Sequence, residues 1–221
     1  MTEFKIPRHS FSLLLVALII LLILPTMLPE GSGLLFLLSW SGMLISGLWL
    51  VTHDRTKLII SLFLAVAFIY FGLKNKNELN ITWELLSCIV SITFLYFVTS
   101  HTIRFLFNAN TISFDLVYAS ICIYLLFGLI WAHIYLFIEL VHPGSFLANQ
   151  AIDVMSQHYG DVLNRFIYFS YVTVTTLGYG DITPVSQVAS VWAMMEAIVG
   201  QFYIAVVVAR LVGLQISDRD K

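Results

Sequence analysis

Six stretches of this chain are too apolar to be left in water, and together they constrain the fold more than any other feature. They cover residues 11–27, 33–51, 58–73, 81–100, 112–141 and 185 to about 214. Crossing ~30 Å of hydrocarbon as a helix takes about 20 predominantly apolar residues, so these runs are expected to be membrane spans. Of the 221 residues, 59% are hydrophobic and 11% charged, a balance that no water-soluble domain needs. The formal net charge is −2 and no basic patch stands out, which argues against a nucleic-acid partner. Cys88 and Cys122 both lie inside apolar runs. They read as small buried hydrophobes rather than a disulfide. The first run follows Lys5 and Arg8 and has the outline of a signal peptide. Its length and the spans behind it make it a retained membrane helix.

Pro25 and Pro29 are expected to end the first helix, and Glu30-Gly31-Ser32-Gly33 to form the turn to the second. With the N-terminus inside, Lys5, Arg8, Arg55, Lys57, Arg104, Arg210, Arg219 and Lys221 fall on the cytoplasmic side and Lys74, Lys76 and Arg165 outside. That excess of Lys and Arg inside sets the orientation, with both termini cytoplasmic. Residues 143–162 are too polar to span. Residues 163–175 are aromatic-rich and too short to cross. Non-helical backbone at membrane depth is tolerated only where it lines a cavity within protein, so a short helix re-entering from one side is expected here.

After that short segment comes Thr173-Val174-Thr175-Thr176-Leu177-Gly178-Tyr179-Gly180-Asp181. The T-L-G-Y-G core resembles the selectivity filter of potassium channels, the worked case of carbonyl-lined selectivity. An ion leaving water needs oxygens in place of its hydration shell. Successive backbone carbonyls supply them only at angles that glycine adopts easily. The resemblance implies that the carbonyls of Thr176, Leu177, Gly178 and Tyr179 hold K+ as the permeant ion, with the Thr176 hydroxyl innermost. Gly180 closes the filter, and no other cofactor is implied. It further implies a pore helix carrying Tyr168, Phe169, Thr173 and Thr175, with the Tyr179 ring wedged against Tyr168 and Phe169. Asp181 would stand at the outer mouth, attracting cations or bracing the filter by a hydrogen bond. Leu177 departs from the Val or Ile usual in the family, and Val172 stands where some relatives carry a carboxylate partner for the aspartate. One chain supplies one filter strand, so a closed ring implies a homotetramer in membrane lipid. Gly200, nineteen residues after Asp181, resembles the glycine at which the inner helix of such channels bends, although close helix packing is an equal reading. By the same resemblance Gln201, Ile204 and Val208 face the cavity.

The expected fold is therefore an all-α membrane protein with six transmembrane helices, a re-entrant pore helix and a filter loop, assembled as a tetrameric potassium-channel pore. Residues 110–221 form the pore domain. Residues 1–109 form a four-helix domain with the outline of a voltage sensor. A sensor needs a stripe of arginines, since each charge contributes only about 2.3 kcal/mol per 100 mV. The fourth run has none, and Arg104 lies beyond its end. A lipid-facing scaffold is the preferred reading for these helices. Residues 101–114 are expected to lie along the inner leaflet, with Thr111 or Ser113 capping the next helix and Asp115 in its first turn. Only residues 215–221 follow Leu214, which leads us to expect no C-terminal regulatory domain.

Glu196 is an ionisable residue amid apolar neighbours in the last run. At about 140° around the axis from Gln201 it is expected behind the filter, near Ser170, Thr173 or Thr175. His133, His142 and His158 make no metal-ligand cluster; the last two read as solvated. The function expected is passive potassium-selective conduction across the plasma membrane without strong voltage gating. The alternatives are a less selective cation channel or a subunit of a potassium uptake system. A membrane enzyme has neither a nucleophile–base pair nor a metal motif behind it.

Overall fold

The computed structural model describes residues 10–24, 33–50, 55–74, 81–148, 152 and 159–219. Lys5, Arg8, Pro25, Pro29, the turn at 30–32, Lys76, His158 and Lys221 lie outside them. The chain forms α1 (Ser10–Ile23), α2 (Gly33–Leu50), α3 (Arg55–Lys74), α4 (Ile81–Asn108), α5 (Phe114–Val141), β1 (Phe146–Ala148), α6 (Tyr159–Val174), β2 (Ile182–Pro184) and α7 (Gln187–Arg219).

Among the described residues, α4, α5 and α7 are long and apolar enough to cross a membrane, and the protein is a membrane protein. The expectation of six spans is corrected. α1 has 14 residues. At 1.5 Å per residue that is about 21 Å, well short of the ~30 Å hydrocarbon layer. The described apolar stretch of α3, Leu58–Tyr70, is likewise short. In place of a tetrameric six-span pore, the described residues make a seven-helix bundle with three helices of spanning length and a small two-stranded sheet.

α5 is the hub, packing against α1, α4, α6 and α7. Its start follows from local chemistry. Ser113 is the N-cap, its hydroxyl accepting from the Leu116 N–H at 3.2 Å, and Asp115 lies in the first turn. α4 continues through residues 101–108 instead of breaking into an interfacial segment. No Gly or Pro interrupts it, and buried Thr102 returns its hydroxyl to Val98 O at 2.8 Å. The ends of α4 and α7 meet. Arg210 donates to the carbonyls of Leu106 (3.0 Å), Phe107 (2.6 Å) and Ala109 (2.9 Å), and the Ile112 N–H donates to the Asp218 carboxylate at 2.9 Å. Arg210 thus brings to the C-terminal end of α4 the cation that its own last turn lacks.

At the opposite end of α5 the buried Glu139 carboxylate accepts from the Gly144 (2.7 Å) and Phe146 (3.1 Å) N–H groups and pins the turn. β1 then pairs antiparallel with β2, Phe146 opposite Pro184 and Ala148 opposite Ile182. This pairing anchors the chain immediately beyond residues 176–181. Ser186 starts α7, accepting from the Ala189 N–H at 3.1 Å.

Candidate conduction site

The site is the loop between α6 and β2. Three of its N–H groups turn back onto the end of α6: Thr176 donates to Thr173 O (2.9 Å), Leu177 to Val172 O (2.9 Å) and Gly178 to Val172 O (3.2 Å). In a trans peptide the carbonyl points opposite to the N–H of the same unit. The carbonyls of Thr175, Thr176 and Leu177 therefore point away from α6. Positive φ recurs at every second residue, 60° at Thr176, 57° at Gly178 and 76° at Gly180, whereas Leu177 and Tyr179 do not share it. Such alternation differs from a regular strand, where successive carbonyls face opposite sides. Glycine takes these angles freely; for β-branched Thr176 the conformation costs on the order of 1–3 kcal/mol, which the helix-end bonds help to offset. Residues 175–180 are all exposed. Thr176 Oγ1 donates to Thr175 O at 2.6 Å, and Thr175 Oγ1 to Tyr171 O at 2.6 Å.

The flanking groups fall differently from expectation. Tyr179 is 67% exposed. Phe169 is buried in a nest of rings with Tyr135, Phe146 and Phe166, at centroid distances from 5.0 to 6.5 Å, rather than receiving Tyr179. Tyr168 donates to Asp181 Oδ2 at 2.7 Å, and the Ile182 N–H donates to Asp181 Oδ1 at 3.1 Å. The aspartate is a brace, with a phenol in the position of partner. That hydrogen bond is the main cause holding the exposed Tyr168 phenol above its ordinary value of 10.0.

Behind the loop, α7 meets the rest of the chain along a narrow seam of Ala189, Ala193, Glu196, Gly200, Tyr203 and Val207, spaced three and four apart, with Gly200 against α6, Glu196 between α5 and α6, and Tyr203 against α5. A Cβ on Gly200 would lie 2.6 Å from Val174 Cγ2 and 2.8 Å from Val174 O. Close packing against the last residue of α6 accounts for this glycine. Gly128 of α5 plays the same part against the Tyr171 ring, which its Cβ would meet at 2.4 Å. Glu196 is fully buried and hydrogen-bonded to Ser170 and to Tyr135, not to Thr173 or Thr175. Tyr135 was not legible as its partner, because α5 is apolar on every side. Ser170 Oγ also reaches Gly128 O at 2.8 Å. Gln201, Ile204 and Val208 all lie on exposed parts of α7. His133 is buried, its Nδ1 bonded to Leu129 O at 2.8 Å and its ring edge-on to Trp40. His142 is exposed. No cluster of three or more His, Cys, Asp or Glu occurs among the described residues.

A protein family described as "Ion channel" matches residues 119–214, from α5 through most of α7. No curated protein and no solved structure matches the chain. The family match supports a generic ion-channel assignment. The narrower resemblance to six-helix potassium channels is corrected, since three helices of spanning length are found among the described residues where that family plan needs six. The chain has a general ion-channel or ion-transport role and is not an enzyme, because the matched family consists of channels.

Proposed function

We propose that the chain conducts potassium selectively through the loop at residues 176–180, with the carbonyls of Thr176, Leu177, Gly178 and Tyr179 replacing the hydration shell of K+. The observation that carries this reading is the every-second-residue positive φ at Thr176, Gly178 and Gly180, joined to N–H groups that turn back onto α6. A row of like-facing carbonyls is what a desolvated cation requires. α6 ends at Val174, directly before the loop, so the negative end of its dipole favours a cation nearby. One strand encloses nothing, so the proposal includes a homotetramer in which four such loops close a ring, with Gln201, Ile204 and Val208 toward the cavity below. The exposed apolar faces of α7 supply surface for that assembly and for lipid.

Arg104 and Arg210 lie near the ends of α4 and α7 that come together, which favours a cytoplasmic placement of that side in a plasma membrane. Arg104 is the one Lys or Arg in α4, so conduction should depend only weakly on voltage. The division at residues 109–110 into a lipid-facing scaffold and a conducting part belongs to the same proposal. A less selective cation channel is the alternative that Leu177 keeps open, since its side chain is exposed in the single chain. Flux into liposomes holding the purified protein tests the assignment. Gly178→Ala adds a Cβ at φ 57° and is expected to abolish selective potassium flux. Unchanged selectivity in that variant overturns it.

A further inference from the structure

The hydrogen bonds behind the loop do not balance if Glu196 is ionised. Three contacts join four groups: Tyr135 to Glu196 Oε2, Ser170 to Glu196 Oε1, and Ser170 to Gly128 O. A carboxylate accepts only and a backbone carbonyl accepts only, so Tyr135 and Ser170 bring two protons to three contacts. A single Ser170 O–H serves both of its neighbours only as a weakened, shared bond. One more proton completes the set. It sits on the carboxyl and is donated to Ser170 Oγ, which frees the serine proton for Gly128 O.

We infer that Glu196 is a neutral acid that positions α6 behind the conducting loop, linking α7 to α5 through Ser170. This inference rests on the conduction reading for its consequence but not for its chemistry. The groups that face Glu196 are Tyr124 and Tyr135 from α5 and Tyr171 from α6, all phenols. No basic side chain among the described residues faces it. An ionised Glu196 would be a buried charge without a partner, an arrangement that membrane interiors disfavour. Ionisation would also redirect the Ser170 proton to the carboxylate and take from Gly128 O its donor on α6, leaving it only the N–H of its own helix. Ser170 lies one turn before Val174, the residue that packs on Gly200 and whose carbonyl accepts from the Tyr124 hydroxyl at 3.2 Å. Losing the Ser170–Gly128 bond loosens α6 where the loop begins. Glu196 touches no permeating ion in this account. It is a positioning residue.

The test is an infrared difference spectrum, wild type minus Glu196→Gln, on the full chain in liposomes at neutral pH. The expected result is a protonated-carboxyl C=O band that belongs to Glu196. Ser170→Ala is expected to shift this band, because the acid loses its acceptor. A spectrum with carboxylate bands alone at neutral pH overturns the inference. So does a carboxyl band that Ser170→Ala leaves in place. Flux supplies the second readout. Wild-type potassium flux should fall as alkaline pH removes the carboxyl band. Glu196→Gln, whose amide both donates and accepts, should match wild type near neutrality and lose the alkaline fall. An equal fall in both proteins overturns the positioning role. If the carboxyl band is present but no potassium-selective flux occurs at any pH, the conduction reading fails and the protonation of Glu196 stands. Should Glu196→Gln not fold, the Ser170→Ala band shift decides.

Discussion

α5 and α7 are both apolar helices of spanning length, yet α5 is mostly buried inside the chain and α7 mostly exposed. Composition does not distinguish them; their neighbours do. α5 is surrounded by α1, α4, α6 and α7, and it presents backbone carbonyls to hydroxyls on its partners: Tyr171 donates to Leu125 O at 2.7 Å, Ser170 to Gly128 O, and Tyr203 to Ser120 O at 2.6 Å. α7 touches the chain along one seam and leaves Val191, Met194, Ile198, Phe202 and Val208 exposed. The comparison teaches that apolarity marks a helix for the membrane but says nothing about whether protein or lipid covers it. In this chain the thinly covered helix is the one that follows the conduction loop.

The sharpest way to break the contrast is at the seam itself. Gly200→Val should be the most damaging single change on α7, because even one Cβ there meets the Val174 carbonyl. Overpacking of this kind typically costs about 1–3 kcal/mol, and more where backbone is the obstacle. The expected outcome is a fall in thermal stability of the detergent-solubilised protein and loss of conduction. A wild-type melting profile would show that α6 and α7 do not approach as described. On the other side of the contrast, Val208→Ala removes an exposed side chain and should leave monomer stability within about 0.5 kcal/mol. If it destabilises as much as Gly200→Val, Val208 is packed within the chain rather than exposed.

A second approach maps the exposed face. A cysteine placed at Ile198 should crosslink between copies under oxidation in the membrane, and one placed at buried Leu126 of α5 should not. The native Cys88 and Cys122 are buried and should contribute no background. Equal crosslinking at both positions would erase the distinction between the helices.

The smallest expected effect is at the rim. Tyr168→Phe removes the bond to Asp181 Oδ2 and should lower thermal stability slightly, with a modest loss of conduction. The sign of its pH dependence follows from the raised phenol. The contribution is present below the ordinary value of 10.0 and is lost as pH rises through the higher folded value. Wild type and Tyr168→Phe should therefore differ at neutral pH and converge in strong alkali. Divergence that grows with pH would contradict the brace.

Much of this site was legible in the residues alone, for local reasons. Gly178 and Gly180 at alternate positions called for backbone that other residues avoid, and both adopt positive φ. Ser113 before an apolar run read as a cap because its hydroxyl needs only the N–H three residues on. Distant pairings were not legible. β1 and β2 are three residues each and lie far apart in sequence, so no periodicity marks them. Tyr135 meets Glu196 across 61 positions, on a helix whose apolar residues point every way. The count of spans failed for a different reason. An apolar run does not fix the length of the helix it contains: across the run at 11–27, α1 has only 14 residues. Helix continuity was underestimated at residues 101–108, where scattered polar side chains such as Thr102 satisfy themselves inside α4.

The most direct measurement is the reversal potential of the purified protein in a planar bilayer with potassium on one side and sodium on the other. The account predicts a reversal close to the potassium equilibrium potential in wild type and no selective current in Gly178→Ala. Wild-type current that reverses near zero, treating the two cations alike, would contradict it.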